Sequence, residues 1–417
     1  MYGPYSDKTL MRNVLLYTLA EKLGWYGPRT RFIELTLNGD YKGIYVLVEK
    51  IKIDEERVDI ANLTQNDTIG DELTGGYIIR VDRKEGEGWY SNYSSNVYFE
   101  YYDPDEDQLL EVQKNYIKDF INSFEYQLDI ATGLSDTSLL NLFNVDSFID
   151  YIILNELSKN VDAYRLSTYM YKDKNINDGR LKMGPVWDYN IAFGNNFNYE
   201  AYTPEDFIYD NPLWEPFAVF WFRKLMSLDS FQTMVISNWN ELRSSSLHID
   251  SIYSIIDSSY ALLAEAQERN FERWPILGVQ IWPNYYVGET YLEDVDFLKE
   301  WLSSRTDWLD VNFPALYTQT ELKTADNNSL NVTLFPNPFE DLITITLRNC
   351  TNKKLTFSLF DMVGRKVFQT QFITKPFGQN KYQINLTDLK LENAMYIYKI
   401  GNLNSTIERG KIIKKGF

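Results

Sequence analysis

The sequence predicts an α+β protein that ends in a small all-β domain. Asn38-Gly39 lies between two alternating apolar runs, which is a strong β-hairpin signal because both turn positions tolerate positive φ. From about residue 110 to residue 316, apolar residues recur mainly at helical spacing. Beyond a polar stretch at 317–330, short alternating runs separated by Gly, Asn and Asp are typical of an antiparallel sandwich.

Residues 1–109 are expected to form one helix followed by β-strands. Apolar spacing predicts a helix over 8–23, with Ser6 or Asp7 as its cap and Gly24 after its end. Alternating residues predict strands at 31–37, 41–51, 76–82 and 98–102. The acidic loop at 103–107 lacks the spacing of an EF-hand and is interpreted as a solvated loop.

The middle of the chain is expected to be mainly helical, with one pair of strands around the turn Asn177-Asp-Gly179. The expected helices are 145–157, 215–246, 250–274 and 290–310, and the expected strands are 168–172 and 181–186. In the last part the expected strands are 342–347, 354–360, 366–372, 381–386 and 394–400. These patterns divide the chain into a first domain at 1–316, a linker at 317–330 and a second domain at 331–417.

Composition excludes several classes of function. The net charge of −18 argues against nucleic acid as the main partner, because phosphate backbones select basic surfaces. One His and one Cys leave no material for a His-based triad, a zinc cluster or an intrachain disulfide. No run approaches 18 apolar residues, so no transmembrane segment is predicted, and the first residues do not resemble a signal peptide.

With His- and Cys-based sites excluded, two acidic residues, Asp162 and Asp188, are the main candidates for a catalytic site. Asp162 follows a predicted helix and precedes a predicted strand, and Asp188 follows a strand and enters a loop that ends at Gly194. Phosphoryl transfer needs one carboxylate to take a proton and another to hold a cation such as Mg²⁺. Asn190 offers a further oxygen ligand. The alternative for each Asp is a turn or loop cap formed with its own backbone.

Local sequence is a weaker guide to the basic residues that would bind phosphate groups. Glu49-Lys50 closes the second strand of the hairpin, where a strand Lys oriented by an acidic residue would suit a kinase-like site. Arg12 and Arg31 are further candidates, and an ordinary surface Lys at a hairpin end is the alternative. The sequence has neither a GxxxxGK[ST] loop nor a GxGxxG that opens a helix, so P-loop and dinucleotide folds are unsupported.

Five ordered blocks resemble the CotH kinase family. They are Asp7-Lys-Thr-Leu-Met-Arg12-Asn13, Leu37-Asn-Gly-Asp-Tyr-Lys-Gly-Ile-Tyr-Val-Leu-Val-Glu49-Lys50-Ile51, Gly75-Gly-Tyr-Ile-Ile-Arg-Val-Asp82, Asp162-Ala-Tyr-Arg165 and Trp187-Asp-Tyr-Asn-Ile-Ala-Phe-Gly194. The resemblance implies a diverged protein-kinase-like domain, ATP as donor, a divalent metal, and transfer to Ser or Thr of exported proteins. It places Asp162 at the catalytic position and Asp188 at the metal-binding position.

Two departures from the family pattern concern the same site. Relatives have a second Asp where this chain has Asn190, and an Asn near the position of Ser167. Each departure is expected to weaken metal binding. The chain is also expected to lack upstream strands of the family's domain, so that it begins inside that domain.

The last part resembles the type A sorting domain of the type IX secretion system, an Ig-like sandwich. The resemblance is carried by Leu334-Phe-Pro-Asn-Pro338, Leu359-Phe-Asp-Met-Val-Gly-Arg365, Ala394-Met-Tyr-Ile-Tyr-Lys399 and the basic end Gly410-Lys-Ile-Ile-Lys-Lys415. It implies a secreted or cell-surface protein, recognition by the type IX machinery, and an export signal upstream of Met1.

The leading hypothesis is a secreted or surface kinase with Asp162 as the base, Asp188 and Asn190 as Mg²⁺ ligands, and Lys50, Glu49 or Arg12 at the ATP phosphates. The alternative is a catalytically inactive surface module that binds protein or glycan, which the departures and the high aromatic content of 16% favour. A glycoside hydrolase with two carboxylates is disfavoured, because the settings of the two Asp residues match kinase roles.

Overall fold

The computed structural model describes residues 1–134, 137–213, 216–324, 331–348, 354–362, 365–373, 380–389, 391–401 and 406–415. The chain forms two compact units, Met1–Thr318 and Gln319–Phe417. Unit 1 mixes helices and strands, whereas the regular structure of unit 2 is mainly β. The predicted α+β character is therefore confirmed.

Unit 1 begins with a helix and a hairpin. These are α1 (Arg12–Lys22), β1 (Thr30–Leu37) and β2 (Asp40–Val48). The hairpin turn at Asn38 and Gly39 has φ of 54° and 82°, as the sequence predicted. The helix starts four residues later than predicted because Leu10 has a φ of 65°, which interrupts helical geometry. Asp7 is not the N-cap residue of α1, which is Met11, but its carboxylate accepts the N–H of Arg12, the first residue of the helix.

An antiparallel sheet forms the centre of unit 1. Its strands are β3 (Tyr77–Val81), β4 (Gly88–Tyr90), β5 (Tyr98–Asp103), β6 (Thr168–Lys172) and β7 (Lys182–Met183). Their order in the sheet is β4-β5-β3-β6-β7. The strand predicted at 181–186 is only two residues long, because Gly184 has a φ of 108° and Pro185 offers no N–H for pairing.

Helices cover much of the rest of unit 1. They are α2 (Glu111–Ile130), α3 (Thr137–Leu140), α4 (Val145–Ser158), α5 (Asn175–Asp178), α6 (Trp221–Met226), α7 (Asp229–Arg243), α8 (Ile249–Leu263), α9 (Ala266–Arg273) and α10 (Tyr291–Thr324). Within the described ranges, none of the helices has the length and apolar character needed to cross a membrane.

Two helices, α4 and α10, show where the sequence patterns predicted the structure and where they did not. Helix α4 matches its prediction and is capped by Asn144, whose Oδ1 accepts the Ser147 N–H at 2.9 Å. Helix α10 runs to Thr324 and so enters the segment predicted as a linker. Gln, Glu, Leu and Lys are good helix formers, and a polar composition alone did not distinguish them from a linker. Residues 325–330 of that segment lie outside the described residues.

Unit 2 consists of two antiparallel sheets that share one core. Its strands are β8 (Asn331–Phe335), β9 (Leu342–Arg348), β10 (Lys354–Phe360), β11 (Lys366–Ile373), β12 (Asn380–Asn385), β13 (Met395–Gly401) and β14 (Thr406–Ile413). The sheet orders are β11-β10-β13-β14 and β12-β9-β8. The five predicted strands are confirmed, and the sequence patterns missed β8 and β14. Cys350 lies outside the described residues.

Candidate active site

Strand pairing brings three loops to the same end of the central sheet. Val81 of β3 pairs with Thr168 of β6, and Met170 of β6 pairs with Met183 of β7. Because both pairs are antiparallel, the end of β3, the start of β6 and the end of β7 lie side by side. The loops at this end carry Asp82, Asp162 and Asp188.

Helix α1 holds the backbone around Asp188. The Asp188 N–H donates to the hydroxyl of Tyr17 at 3.2 Å, and the Tyr189 N–H donates to Oδ1 of Asn13 at 2.5 Å. Asp188 has a φ of 65°, which is uncommon for a residue with a side chain. Backbone strain of this kind is found at functional sites when surrounding contacts enforce it, as the two bonds from α1 do here.

The Asp188 carboxylate lies in a concave part of the surface that water can enter. We call the part of the surface around Asp82, Asp162 and Asp188 the recess. The residue is solvent-exposed, yet burial is the main cause that raises the pKa of its carboxyl to about 6. A side chain that water reaches while protein surrounds most of it is in a concave site. The negative charges of Asp162 and Asp82 raise this pKa further. The described part of the chain places no hydrogen-bond donor or cation on the Asp188 carboxylate.

Asp162 sits in the same recess on the loop that follows α4. Its N–H donates to Oδ1 of Asn160 at 3.1 Å, and its Oδ1 accepts from Nη2 of Arg165 at 2.7 Å. Burial raises the pKa of the Asp162 carboxyl, the charges of Arg165 and Arg83 oppose that rise, and the charge of Asp82 adds to it. Among the described residues, nothing donates a hydrogen bond to Oδ2 of Asp162.

A buried polar cluster fixes the loop that carries Asp162. The Tyr164 hydroxyl donates to Oε1 of Glu156 at 3.1 Å, and the backbone N–H groups of Ile208 and Tyr209 donate to the same carboxylate. Arg305 lies 3.3 Å from Glu156, and both side chains are fully buried. A satisfied buried network of this kind holds one loop conformation, because any other would leave charges unpaired.

The two positions that depart from the family pattern lie on the loops of the recess. The Asn190 amide Nδ2 contacts Oγ of Ser6 at 3.4 Å, and the Asn190 carbonyl accepts from Nδ2 of Asn195 at 2.9 Å. Ser167 has a φ of 47° just before β6 begins. Asn tolerates that backbone region better than most residues, so the Asn expected near this position from the resemblance would fit the loop.

Glu49 and Lys50, the hairpin residues proposed for the phosphate site, each contact other side chains. Glu49 accepts two hydrogen bonds from the Arg29 guanidinium, at 2.8 and 2.6 Å, and one from the Tyr26 hydroxyl at 3.2 Å. Lys50 is exposed, and its Nζ lies 5.9 Å from the centroid of the Tyr102 ring. The structure therefore does not pair Glu49 with Lys50 as the sequence reasoning assumed.

Arg12 has a structural role in this fold. Its Nη1 lies 2.5 Å from Oδ1 of Asp7, and the exposed fractions of the two side chains are 3% and 0%. The same carboxylate also accepts the backbone N–H groups of Thr9 and Arg12. Arg12 thus neutralises a buried charge, and its assignment as a phosphate ligand stays a prediction.

The structure adds four residues that sequence reasoning did not select, namely Asn13, Tyr17, Asp82 and Arg83. Asp82 ended one of the family-like blocks, and its place after a strand was the signal that pointed to it. Asn13 also closed a family-like block. The contacts of Asn13 and Tyr17 join positions more than 170 residues apart, and no local pattern predicts such contacts.

A pocket of about 580 Å³ lies between α1 and the open end of the hairpin. Its lining includes Tyr17, Glu21, Arg29, Arg31 and Glu49. Tyr17 therefore connects this pocket with the loop of Asp188, since its hydroxyl accepts the Asp188 N–H. The pocket is large enough for a nucleotide-sized ligand.

The donor set suits a hard cation that keeps other ligands. No group of three or more His, Cys, Asp or Glu in the described ranges is arranged to hold a metal by itself. Mg²⁺ is usually held by one or two carboxylates together with substrate phosphates and waters. The unneutralised Asp188 carboxylate, with like charges nearby that raise its pKa, fits that mode of binding.

The fold and the recess define a mixed α+β protein with carboxylates gathered at one end of a sheet. The chain belongs to the CotH kinase protein family, whose model matches residues 2–309. No curated protein matches the chain.

Residues 333–415 match the model of a secretion system C-terminal sorting domain. This tail indicates a secreted or cell-surface protein that interacts with the secretion machinery. The two resemblances seen in the sequence are confirmed by these matches.

Proposed function

We propose that the chain is a secreted or surface protein kinase that transfers the γ-phosphate of ATP to Ser or Thr hydroxyls of exported proteins. The observation that carries the proposal is the exposed Asp188 carboxylate, to which the described residues offer no counter-charge, at the same end of the sheet as Asp162. Family membership adds to it.

In this proposal Asp162 is the general base. Arg165 occupies its Oδ1, so Oδ2 is the oxygen that accepts the proton of the acceptor hydroxyl. The fixed loop around Asp162 keeps that oxygen in place, and a positioned base contributes roughly 10²–10⁴-fold to the rate.

Asp188 would hold Mg²⁺, with the side-chain oxygen of Asn190 as a second ligand. When bound, Mg²⁺ neutralises charge on the phosphate oxygens. The bonds from Tyr17 and Asn13 keep the Asp188 loop in its strained conformation, so the carboxylate needs no rearrangement to bind the cation.

The proposed transfer exchanges one phosphorus–oxygen bond for another. A bond forms from the acceptor oxygen to the γ-phosphorus as the bond from that phosphorus to the β–γ bridging oxygen breaks. The hydroxyl proton moves to Asp162, and ADP leaves with the bridging oxygen.

Calorimetry of Mg-ATP with the full chain tests the proposal. We expect Asp188→Ala to weaken Mg-ATP binding by at least about 10-fold, because the metal ligand is lost. Asp162→Asn should keep binding and lose transfer, whereas Asp59→Ala, at an exposed carboxylate, should change neither. Mg-ATP affinity that Asp188→Ala leaves unchanged would contradict the proposed metal role.

One observation favours a second candidate function, a catalytically silent surface module that binds protein or glycan. Asn190 supplies an amide where relatives supply a carboxylate, and that amide contacts Ser6. Absence of Mg-ATP binding by the wild-type chain, together with binding of an exported protein or a glycan, would support this alternative.

A further inference from the structure

The recess has an excess of negative charge. Asp82, Asp162 and Asp188 lie close enough for their charges to interact. Arg165 is ion-paired with Asp162, and Nη1 of Arg80 lies 3.8 Å from Oδ2 of Asp82. Among the described residues, no basic side chain pairs with Asp188. The phosphates of a bound ATP would add several more negative charges. One divalent cation offsets only two of these, so a basic side chain is needed at the same end of the sheet.

Arg80 and Lys84, two basic residues near the recess end of the central sheet, contact other side chains. Nε of Arg80 lies 2.8 Å from Glu100, and Nη1 of Arg80 lies 3.5 Å from the Tyr169 hydroxyl. The Lys84 ammonium packs over the rings of Tyr90 and Tyr98, with its Nζ 5.8 and 5.4 Å from their centroids. Neither side chain is available without breaking these contacts.

Arg83 differs from its neighbours. It is exposed, and the described residues provide no hydrogen bond or ion pair for its guanidinium. Its backbone N–H donates to Oδ1 of Asp82 at 2.8 Å, which holds the residue at the turn that follows β3. Arg83 comes just after β3, whose last residue Val81 pairs with Thr168 at the start of β6, so it lies at the end of the sheet that carries Asp162. Its charge also opposes the rise in the pKa of the Asp162 carboxyl.

We propose that Arg83 binds the γ-phosphate of ATP and stabilises the charge on the phosphoryl group during transfer. A guanidinium suits this role because its planar fork can donate two hydrogen bonds to one phosphate. Arg83 thereby takes the role that sequence reasoning gave to Lys50 or Arg12. The inference rests on the proposed kinase function and adds a catalytic residue to it.

Calorimetric titration of the full chain with ATP and with AMP, each in Mg²⁺, tests this assignment. We expect Arg83→Ala to weaken ATP binding about 10-fold or more and to leave AMP binding unchanged, because AMP lacks the γ-phosphate. Arg83→Lys should restore part of the ATP affinity, since it returns the charge without the fork. Lys84→Ala is the matched control and should keep wild-type affinity for both nucleotides.

The outcomes separate this inference from the proposed function. If the wild-type chain binds ATP and Arg83→Ala binds it with the same affinity, the proposed role of Arg83 is overturned and the proposed function is not. Equal losses of ATP and AMP affinity in Arg83→Ala would also overturn it, because they would indicate a general loss of the site. Failure of the wild-type chain to bind either nucleotide would overturn both proposals. A thermal melt of each variant checks that the fold is retained.

Discussion

The backbone N–H of Asp188 donates a hydrogen bond to the hydroxyl of Tyr17, 3.2 Å away. The two residues are 171 positions apart, and the bond joins the first helix to the loop of the recess. Tyr17 also stacks on Trp187, with ring centroids 6.1 Å apart. The first helix therefore sets the position of the proposed metal ligand.

Tyr17→Phe should loosen this loop. The change removes the acceptor of the Asp188 N–H and keeps the ring, so we expect a loss of about 1 kcal/mol in the free energy of unfolding. Affinity for Mg-ATP should also fall, because the strained backbone at Asp188 loses a support. Denaturant unfolding and calorimetry measure the two effects. Tyr5→Phe, at an exposed ring, is the control, and wild-type Mg-ATP affinity in Tyr17→Phe would show that the bond does not position the ligand.

Mg²⁺ binding should depend on pH near the pKa of Asp188. Burial and the charges of Asp162 and Asp82 raise that pKa to about 6, so the carboxyl is ionised above pH 6 and protonated below it. A protonated carboxyl is a poor Mg²⁺ ligand, and affinity should fall as the pH decreases from 7.5 to 5. Calorimetry at several pH values checks this, and a constant affinity across the range would argue against Asp188 as the ligand.

The same pKa predicts the effect of Asp188→Asn on stability without metal. Because the folded-state pKa is raised, the stability associated with the protonated form is present below the unfolded value near 3.8 and is lost as the pH rises through about 6. Asp188→Asn should therefore raise the melting temperature at pH 7.5 and have little effect at pH 4. A lower melting temperature at pH 7.5 would be the contrary result.

Glu125 should make stability depend on pH for a similar reason. This α2 residue is fully buried, accepts hydrogen bonds from Ser91 Oγ and Trp221 Nε1, and has no basic partner among the described residues. Burial raises the pKa of its carboxyl to about 7. Stability should therefore be lost as the pH rises from the unfolded value near 4.5 through 7.

Glu125→Gln removes that charge and keeps an acceptor for both donors. We expect it to raise the free energy of unfolding by about 2 kcal/mol at pH 8 and by much less at pH 4.5. Urea unfolding at both pH values measures the difference. Asp119→Asn, at an exposed carboxylate of the same helix, should show no such contrast.

Asn190→Asp should strengthen Mg²⁺ binding by adding a second carboxylate to the loop of Asp188. A second charged ligand near Asp188 is expected to increase Mg²⁺ affinity roughly 10-fold or more. Without metal, the added charge should raise the pKa of Asp188 further and lower the melting temperature. Calorimetry and thermal melts test both effects. Asn66→Asp, at an exposed position, adds the same charge elsewhere, and equal behaviour of the two variants would refute a role for position 190.

The sequence predicted the two parts of the chain and most of their elements. The hairpin at Asn38-Gly39, helix α4 and five strands of unit 2 follow from local patterns of apolar spacing and turn residues. Local composition gave a wrong prediction for the polar segment that forms the end of α10, because linkers and exposed helices can have the same composition. It also missed the late start of α1, which depends on the backbone at Leu10.

The sequence by itself determined which residue types are available for chemistry, because a chain with one His and one Cys has to use carboxylates and basic groups. Only the tertiary structure decided which of them meet. In the tertiary structure, Asp82 and Asp162 lie near Asp188. Arg12 is ion-paired with Asp7, and Arg29 is ion-paired with Glu49. The pairing of charges depends on strand register and helix packing between distant segments, and no local pattern encodes those distances.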